Sequence, residues 1–380
     1  MPNRLDRWSP PTSWREVVAV DAHTEGEPLR VVVGGFPELD GATVLERRRQ
    51  ARDHHDGLRR ALMWEPRGHA DMYGCIVGPP VTGRADLSVL FTHNEGFSTM
   101  CGHGIIGVVT VLLETGLLRP EETVLAREEA ASHGADEALG VEASPGVEAS
   151  SGVGTPNDEG VVVGIDTPAG FVQAAATLED GRVVEVAFDN VPSFVARLGA
   201  RLHVPGVGDV AYDLAYGGAF YAYVSAEELG LRLVPEEATR LAGVGRRIKE
   251  SVQEADPPSH PEAADLGFLY GTIFVGPPHD RANHSRNVCV FADGEVDRCP
   301  TGTGVSGRLA LHRARGELGD EEIVVESILG TCFRGRIVGQ GRVGDHEAVL
   351  PRVAGRAWIT GVNRLLVDPA DPLAEGFLLG

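Results

Sequence analysis

Two short segments of this sequence each place a reactive side chain directly before a glycine-rich helix start. Cys101 precedes Gly102-His103-Gly104, and Thr301 precedes Gly302-Thr303-Gly304. The first turn of a helix carries unpaired N–H groups and the positive end of the helix dipole, so it binds anions such as a carboxylate. A cysteine there is expected to have its thiol pKa lowered from about 8.5 to about 3.5–7.5, provided that the thiolate keeps its solvation. The pattern predicts a thiol base beside a carboxylate site.

Position alone leaves two roles open for Cys101. A free cysteine is commonly a small buried core residue, but the paired motif and the neighbouring His103 favour a function. Residues 302–307 also match the Gly-x-Gly-x-x-Gly pattern of dinucleotide sites. However, a charged turn with Pro300, and not a strand, leads into those glycines, and the segment at Cys101 lacks the spacing. A dinucleotide site is therefore not favoured.

The other four cysteines are predicted to have no catalytic role. Cys75 and Cys289 lie inside apolar strands and are expected to be core residues. Cys332 follows a turn and has no evident partner. Cys299 lies two residues before Thr301, across a proline, and we expect it to point away from the site if Thr301 caps the helix.

Length, charge and cysteine content restrict the class of protein. A chain of 380 residues is long enough for two domains of about 100–200 residues each. The formal net charge of −21 argues against a nucleic acid or an anionic membrane as partner. No apolar run reaches the roughly 18 residues of a membrane span. Five cysteines do not make a disulfide framework, so we expect a cytoplasmic location.

Residues suited to bound cofactors or metals are scarce. The chain has a single lysine, Lys249, in a charged segment that is expected to be solvated. Pyridoxal phosphate chemistry, which needs a shielded lysine, is therefore not expected. The histidines at 54–55 and at 279 and 284 lack the spacing of a metal site, so no metal is predicted.

Apolar patterning predicts two enclosed helices and many short strands. The segment from Gly102 to Leu113 is apolar on every side, which is typical of a buried helix. A second small-residue helix is predicted from Gly302 to about Arg315, and a charged helix from Val44 to Ala61. Residues 127–160 are rich in Ala, Gly, Ser and Glu and predict a flexible insertion. Strands are predicted at 17–21, 73–77, 87–91, 161–165, 171–176, 183–188, 219–224, 271–275, 288–291, 323–326, 334–338 and 357–361.

The two halves of the chain resemble each other. A strand ending at Phe91 leads to Cys101 and a buried helix, and a strand ending at Phe291 leads to Thr301 and a second helix. Two such units that face each other would form a pseudo-symmetric pair of helix N-termini around one cleft.

Several longer motifs are similar, in order, to those of the proline racemase superfamily. The resemblance covers nearly the whole chain apart from the insertion and the extreme N-terminus. The motifs are Asp21-x-His23-Thr24-x-Gly26-Glu27-Pro28, Glu65-Pro66-Arg67-Gly68-His69-Ala70-Asp71, Met100-Cys101-Gly102-His103-Gly104, Tyr216-Gly217-Gly218-Ala219-Phe220-Tyr221 and Asp297-Arg298-x-Pro300-x-Gly302-Thr303-Gly304.

The resemblance implies an α/β (α+β) fold of the diaminopimelate-epimerase type and no cofactor. Two pseudo-symmetric halves would each wrap mixed strands around a central helix, with the active site in the cleft between them. The first half is predicted to comprise residues 15–196 plus 353–380, with the insertion at about 127–160, and the second half residues 197–352. A small imino acid such as proline or hydroxyproline is the implied partner, and a homodimer is left open.

The resemblance also bears on the reaction. Racemases and 4-hydroxyproline epimerases of this family carry a cysteine in both motifs, whereas this chain has Cys101 and Thr301. That pairing, and residues 268–272, resemble the trans-3-hydroxy-L-proline dehydratase branch. In this interpretation Cys101 removes the Cα proton, and Thr301 lies near the departing hydroxyl or fills the space of the missing thiol. Backbone N–H groups of Gly102, His103, Gly302 and Thr303 would hold the carboxylate, and Asp297 the ring ammonium.

Three other interpretations remain. The nearest is a proline racemase or 4-hydroxyproline 2-epimerase that uses Cys101 with Cys299. The family more often has Ser between Arg298 and Pro300, and a shift of this loop would let Cys299 serve as the second thiol. An inert amino-acid-binding protein that kept the cleft is another. A nicotinamide-dependent oxidoreductase is the third.

Overall fold

The computed structural model describes residues 8–127, 160–319 and 321–379. The predicted insertion at 127–160 lies outside the described residues except at its two end positions. The helices are α1 (Val44–Met63), α2 (Gly102–Glu114), α3 (Ala238–Ala255) and α4 (Gly302–Arg315), with short 3-10 turns at Pro120–Glu122, Pro235–Glu237 and Ala264–Leu266.

Strands make up most of the remaining regular structure. They are β1 (Arg15–Thr24), β2 (Glu27–Gly34), β3 (Tyr73–Gly78), β4 (Leu87–His93), β5 (Gly160–Thr167), β6 (Gly170–Glu179), β7 (Arg182–Asp189), β8 (Ser193–Val204), β9 (Gly208–Tyr216), β10 (Phe220–Ser225), β11 (Leu269–Gly276), β12 (Ser285–Phe291), β13 (Glu295–Val296), β14 (Ile323–Glu326), β15 (Cys332–Val343), β16 (His346–Gly355) and β17 (Ala357–Val367).

Eight strands pair in a ring to form the first barrel. Successive neighbours are β17, β1, β2, β3, β4, β5, β6 and β7, and the pairs β2–β3 and β4–β5 are parallel. The ring closes because β7 pairs with the C-terminal end of β16, which continues into β17 after one residue. Helix α2 lies inside this barrel and packs against β1, β2, β6, β7 and β17.

The second barrel repeats this arrangement. Its neighbours in order are β8, β9, β10, β11, β12, β14, β15 and β16, with β10–β11 and β12–β14 parallel, and β16 pairs back to β8. Helix α4 lies inside it, against β8, β9, β15 and β16. In each barrel a helix, α1 or α3, connects the first parallel pair. The predicted fold of two similar halves, each with mixed strands around a central helix, is confirmed.

The two central helices follow their predicted bounds closely. Every residue from Gly102 to Leu112 and from Gly302 to Leu311 is buried, as expected for segments that are enclosed by a barrel. Helix α4 is terminated by Gly316, the residue after its last helical position. The φ of 68° at Gly316 is the left-handed conformation that glycine adopts without strain. Helix α1 begins after Thr43, whose hydroxyl accepts a hydrogen bond from the N–H of Glu46 at 3.1 Å.

Five strands were not predicted from the sequence: β2, β8, β9, the two-residue β13 and β16. Strand β8 is largely exposed in its middle, so it lacks the alternation of apolar and polar residues that marks a half-buried strand. It is held by its long antiparallel pairing with β9, which the sequence pattern does not reveal. The predicted domain boundaries, 196/197 and 352/353, fall inside β8 and β16, and they stay a prediction. Within the described residues, no helix combines the length and the apolar character needed to span a membrane.

The N-termini of the two central helices meet at the junction of the barrels. A Cβ atom on Gly102 would lie 2.6 Å from the Cα of Gly302, and one on Gly302 would lie 2.8 Å from the Cα of Gly102. The ring of Phe188 is also within 3.0 Å of the first position. Because the opposing atoms belong to backbone, they cannot rotate away, and only glycine fits at both positions.

We predict that Gly102→Ala lowers the free energy of unfolding by about 1–3 kcal/mol, because the added methyl group overpacks a backbone contact. Helix propensity alone would give the opposite sign. Urea denaturation followed by circular dichroism measures this change.

The matched control is Gly243→Ala in α3, where the nearest atom to an added Cβ is 3.9 Å away. This variant should gain about 0.5–1 kcal/mol, the usual difference between the two residues in a helix. A Gly102→Ala protein as stable as the parent would show that the close approach is not a constraint.

Candidate active site

A small cavity lies where the two helix N-termini meet. Its volume is about 20 Å³, which is room for about one water molecule. All seven residues that the sequence analysis selected line it: Cys101, Gly102, His103, Asp297, Thr301, Gly302 and Thr303. The others in the wall are Tyr73, Met100, Tyr221, Tyr270, Cys289 and Phe291.

Cys101 is the N-cap residue of α2. Its backbone is extended (φ −146°, ψ 111°), and its Sγ accepts a hydrogen bond from the N–H of Gly104 at 3.2 Å. The Nδ1 atom of His103 lies 3.1 Å from the same sulfur. The sulfur is therefore held at the positive end of the helix, beside an imidazole that can exchange a proton with it.

Burial opposes ionisation of this thiol. Desolvation raises the pKa of Cys101 well above its usual value, although the N–H of Gly104 and the hydroxyl of Tyr73 act to lower it. The lowering of the pKa was expected only for a thiolate that keeps its solvation, and the closed cavity does not meet that condition. Burial also lowers the pKa of His103 to about 4, so its imidazole is neutral at pH 7.

Thr301 occupies the equivalent position before α4, but its geometry differs. Its φ of 64° is strained for a β-branched residue, and its side chain does not cap the helix. Instead its hydroxyl donates a hydrogen bond of 2.6 Å to Oδ2 of Asp297. Thr301 is thus the N-cap residue of α4 by position, but its hydroxyl is directed to Asp297 and makes no capping hydrogen bond.

Cys299 is buried behind Thr301. Its Sγ accepts a hydrogen bond from the N–H of Thr301 at 3.4 Å, and its own N–H donates to Oδ1 of Asp297 at 2.8 Å. It is not among the residues that line the cavity. Both interactions hold the loop that carries Asp297 and Thr301.

A second carboxyl group stands near Asp297. Glu27 is fully buried, and its Oε2 accepts a hydrogen bond from the N–H of Arg298 at 2.7 Å. Its Oε1 has no hydrogen-bond partner among the described residues. Burial, and next the charge of Asp297, raise the pKa of Glu27 well above its usual value. The negative charge of Asp297 thus adds to the effect of burial in disfavouring ionisation of Glu27.

Four backbone N–H groups belong to residues that line the cavity at the two helix starts. Those of Gly102, His103, Gly302 and Thr303 find no acceptor among the residues that the structure describes. Intrahelical bonding begins with Ile105 N–H to Cys101 and with Val305 N–H to Thr301. Unpaired N–H groups at a helix N-terminus can bind an anion such as a carboxylate without any lysine or arginine.

Three tyrosines in the wall were missed by the sequence analysis. The hydroxyl oxygens of Tyr73 and Tyr270 lie 3.4 Å apart across the junction of the barrels, and that of Tyr221 lies 2.7 Å from Oγ1 of Thr303. An internal repeat could have indicated two of them. The segments Tyr73-Gly74-Cys75-Ile76 and Tyr270-Gly271-Thr272-Ile273 have the same pattern and lie in the two halves of the chain.

Cys289 is a core residue, as predicted, and it also lines the cavity. It is fully buried on β12, but its side chain reaches the cavity wall beside Thr301. Desolvation and the charge of Asp297 raise its pKa well above the usual value. It lies on a strand, without the helix N-terminus that holds Cys101. Cys75 is in the core, as predicted.

One group of side chains in the described ranges has metal-ligating atoms close together. The ligand atoms of His103, Asp297 and Cys299 lie within 4.8 Å of one another, and all three residues are buried. Each is already engaged, His103 with Cys101 and the other two in the loop before α4. The arrangement therefore has a full account without a metal ion.

Comparison with known proteins assigns the family. The sequence model of the family described as "Proline racemase" matches residues 19–135 and 136–378. The chain is 40% identical over 380 residues to the trans-3-hydroxy-L-proline dehydratase of Colwellia psychrerythraea, covering 99% of this chain and 97% of that protein. It is 41% identical over 362 residues to the 4-hydroxyproline 2-epimerase of Streptosporangium roseum, covering 95% and 98%.

A solved structure agrees with this assignment. The hydroxyproline epimerase of Agrobacterium vitis with bound trans-4-hydroxy-L-proline superimposes with a TM-score of 0.82 at 29% identity, covering 96% of each chain. The match extends over both barrels and the junction between them. The chain belongs to the proline racemase family.

Proposed function

We propose that this chain dehydrates trans-3-hydroxy-L-proline, with Cys101 as the base. One observation carries the proposal: the equivalent helix starts present a cysteine and a threonine, not two cysteines. Racemisation needs a proton donor and an acceptor on opposite faces of Cα, and a threonine hydroxyl is too weak for either task near pH 7. Dehydration needs a base on one face only.

The stereochemistry of this substrate suits a single thiol. In the trans isomer the 3-hydroxyl and the carboxylate lie on opposite faces of the ring. The Cα proton is also opposite the carboxylate, so the proton and the hydroxyl leave from the same face. The thiolate of Cys101 can take the Cα proton as the C2–C3 double bond forms and the C3–O bond breaks. It can then return that proton to the departing hydroxide, which leaves as water.

The product of this step is the enamine of pyrroline-2-carboxylate, which tautomerises to the cyclic imine. The thiolate is regenerated, so atoms and protons balance without a co-reactant. In this scheme Thr301 fills the face that a second thiol would occupy in an epimerase, and it takes no proton from Cα.

The remaining groups bind and polarise the substrate. The unpaired N–H groups of Gly102, His103, Gly302 and Thr303 would hold the carboxylate and stabilise charge that develops on it as the Cα proton leaves. The carboxylate of Asp297 would accept a hydrogen bond from the ring ammonium of the substrate. The hydroxyl of Thr301 donates to the same Asp297 carboxylate and keeps it oriented. A bound ammonium also favours the thiolate of Cys101, because a nearby positive charge lowers the pKa of a thiol.

The substrate needs more room than the closed cavity offers. A free volume of about 20 Å³ does not hold a five-membered ring, so the barrels must separate at their junction to admit it. Separation hydrates the thiol, which lowers the desolvation that raises its pKa. Closure around the substrate then excludes water from the reacting atoms.

A second candidate function has one observation in its favour. Cys289 lines the cavity beside Thr301, so the residues in its wall include two cysteines, and a relative of similar identity is named an epimerase. In that case Cys289, or Cys299 behind it, would return a proton to the opposite face of Cα. Neither has a helix N-terminus to stabilise a thiolate, which is why we favour the dehydratase.

The direct test is a product assay with trans-3-hydroxy-L-proline, in which the cyclic imine is trapped with o-aminobenzaldehyde. We expect the wild-type chain to form the imine and Cys101→Ser to lose at least about 10³-fold in kcat, since the base is removed. Cys289→Ser and Cys299→Ser are the matched controls and should keep most of the activity.

The cis isomer of the substrate is a further control. Its 3-hydroxyl lies on the face opposite the Cα proton, so the same thiol cannot serve both, and dehydration should be far slower. If Cys289→Ser or Cys299→Ser were the inactive variant, the assignment of the base would be wrong.

A pH profile tests the environment of the thiol. The hydroxyl of Tyr73 acts to lower the pKa of Cys101, so Tyr73→Phe should raise that pKa. The rising limb of kcat/KM against pH is then expected to move to higher pH by about one unit, which is the effect of one hydrogen bond to a charged group.

Tyr221→Phe is the matched control for this experiment, because its hydroxyl contacts Thr303 and not the sulfur. Its profile should rise at the parental pH. An unshifted limb in Tyr73→Phe would mean that the titrating group is not Cys101.

A further inference from the structure

A second cavity lies in the second barrel, beside the C-terminal half of α4. Its volume is about 410 Å³, within the usual range of small-molecule sites. Its wall includes Tyr223, Ser225, Arg308 and His312. Tyr223 also donates a hydrogen bond of 2.9 Å to the carbonyl of Gly304, two residues after the start of α4. The cavity therefore adjoins the helix whose N-terminus forms half of the candidate active site.

Arg308 is the unusual residue of this cavity. It is only 5% exposed, and the residue at the equivalent position of α2 is Val108, which is fully buried in the core. Replacing a core valine by a guanidinium places a charge inside the barrel, which is costly unless the charge is compensated. The pseudo-symmetry of the fold thus shows that packing does not require a cation here.

The partners of Arg308 are all neutral groups. Nη1 donates to Ser285 Oγ at 2.5 Å and to Asn287 Oδ1 at 3.1 Å, and Nη2 donates to Nε2 of His312 at 3.0 Å. Because Nε2 accepts, the proton of His312 is on Nδ1, which donates to Glu317 at 2.8 Å. His312 is therefore neutral, and Arg308 has no carboxylate within 4.0 Å in the part of the chain that the structure describes.

Negative charge is also present in the wall of this cavity. Glu227 and Glu228 line it, are exposed, and form no ion pair with any described residue. Asp213 is also in the wall, but it is paired with Arg315 at 2.5 Å. The cavity thus presents an uncompensated cation at its inner wall and two uncompensated carboxylates, with apolar contacts from Val224, Val275 and Leu311.

We infer that this cavity is a second binding site for a small zwitterion of the amino or imino acid class. The carboxylate of such a ligand would pair with Arg308, and its ammonium would face Glu227 and Glu228. A ligand with only a negative charge would leave Glu227 and Glu228 without a counter-charge. A ligand with only a positive charge would leave Arg308 without one. The inference does not depend on the proposed reaction, because none of these residues lines the junction of the barrels.

Equilibrium dialysis of the full chain with radiolabelled L-proline tests the inference. Ser225→Trp fills the cavity from its partly exposed wall, and it should bind one fewer proline per chain than the parent. Arg308→Gln removes the cation and should lose the same site. Arg313→Gln is the matched control on the same helix, since its side chain is exposed and lines a different cavity.

The outcome is independent of the candidate active site. If proline also binds at the junction of the barrels, the parent binds two equivalents and Ser225→Trp binds one. If proline does not bind there, the parent binds one equivalent and Ser225→Trp binds none. Should Arg308→Gln fail to fold, Ser225→Trp still decides. A stoichiometry that Ser225→Trp leaves unchanged would overturn the inference and leave Arg308 a structural residue.

Discussion

The close approach of two glycines, Gly102 and Gly302, is the constraint on which the rest of the structure depends. A Cβ atom on either would come within 2.8 Å of backbone in the other. This contact brings the N-termini of α2 and α4 together, so that unpaired N–H groups from both barrels face one space. It also fixes the separation of Cys101 and Thr301, the residues that precede the glycines. The proposed carboxylate site and the proposed base therefore both depend on this contact.

The two barrels share a topology, but they differ where chemistry is expected. Cys101 caps its helix with Sγ and contacts His103, whereas Thr301 adopts a strained φ of 64° and donates its hydroxyl to Asp297. Arg308 occupies the place of Val108 in the same way. In a pseudo-symmetric fold, packing accounts for the positions that match. Packing does not explain why Thr301 replaces Cys101 or why Arg308 replaces Val108, and we therefore relate these two differences to a reaction and to a ligand.

Much of the fold and site could be predicted from the sequence, and the failures have physical causes. The central helices were predicted because the first is apolar on every side and the second is rich in small residues. Six of the seven site residues belong to the similar segments that begin at Cys101 and Thr301, and Asp297 was implied by the family resemblance. Strands such as β8 were missed because pairing, and not burial, holds them. The raised pKa of Cys101 was missed because desolvation depends on how tightly the barrels close. The place of Cys289 in the cavity wall was missed because β12 is buried on both faces, so its sequence gives no sign of which side chains reach the cleft.

The central claim is that proton transfer at Cα takes place on one face only. Incubation of L-proline with the enzyme in D₂O tests it most directly, because L-proline has no hydroxyl to lose. The account predicts that the Cα proton exchanges for deuterium and that the product remains the L isomer, since one thiol removes and returns the proton on the same side. Accumulation of deuterated D-proline would contradict the account, because it requires a second group that delivers a proton to the opposite face.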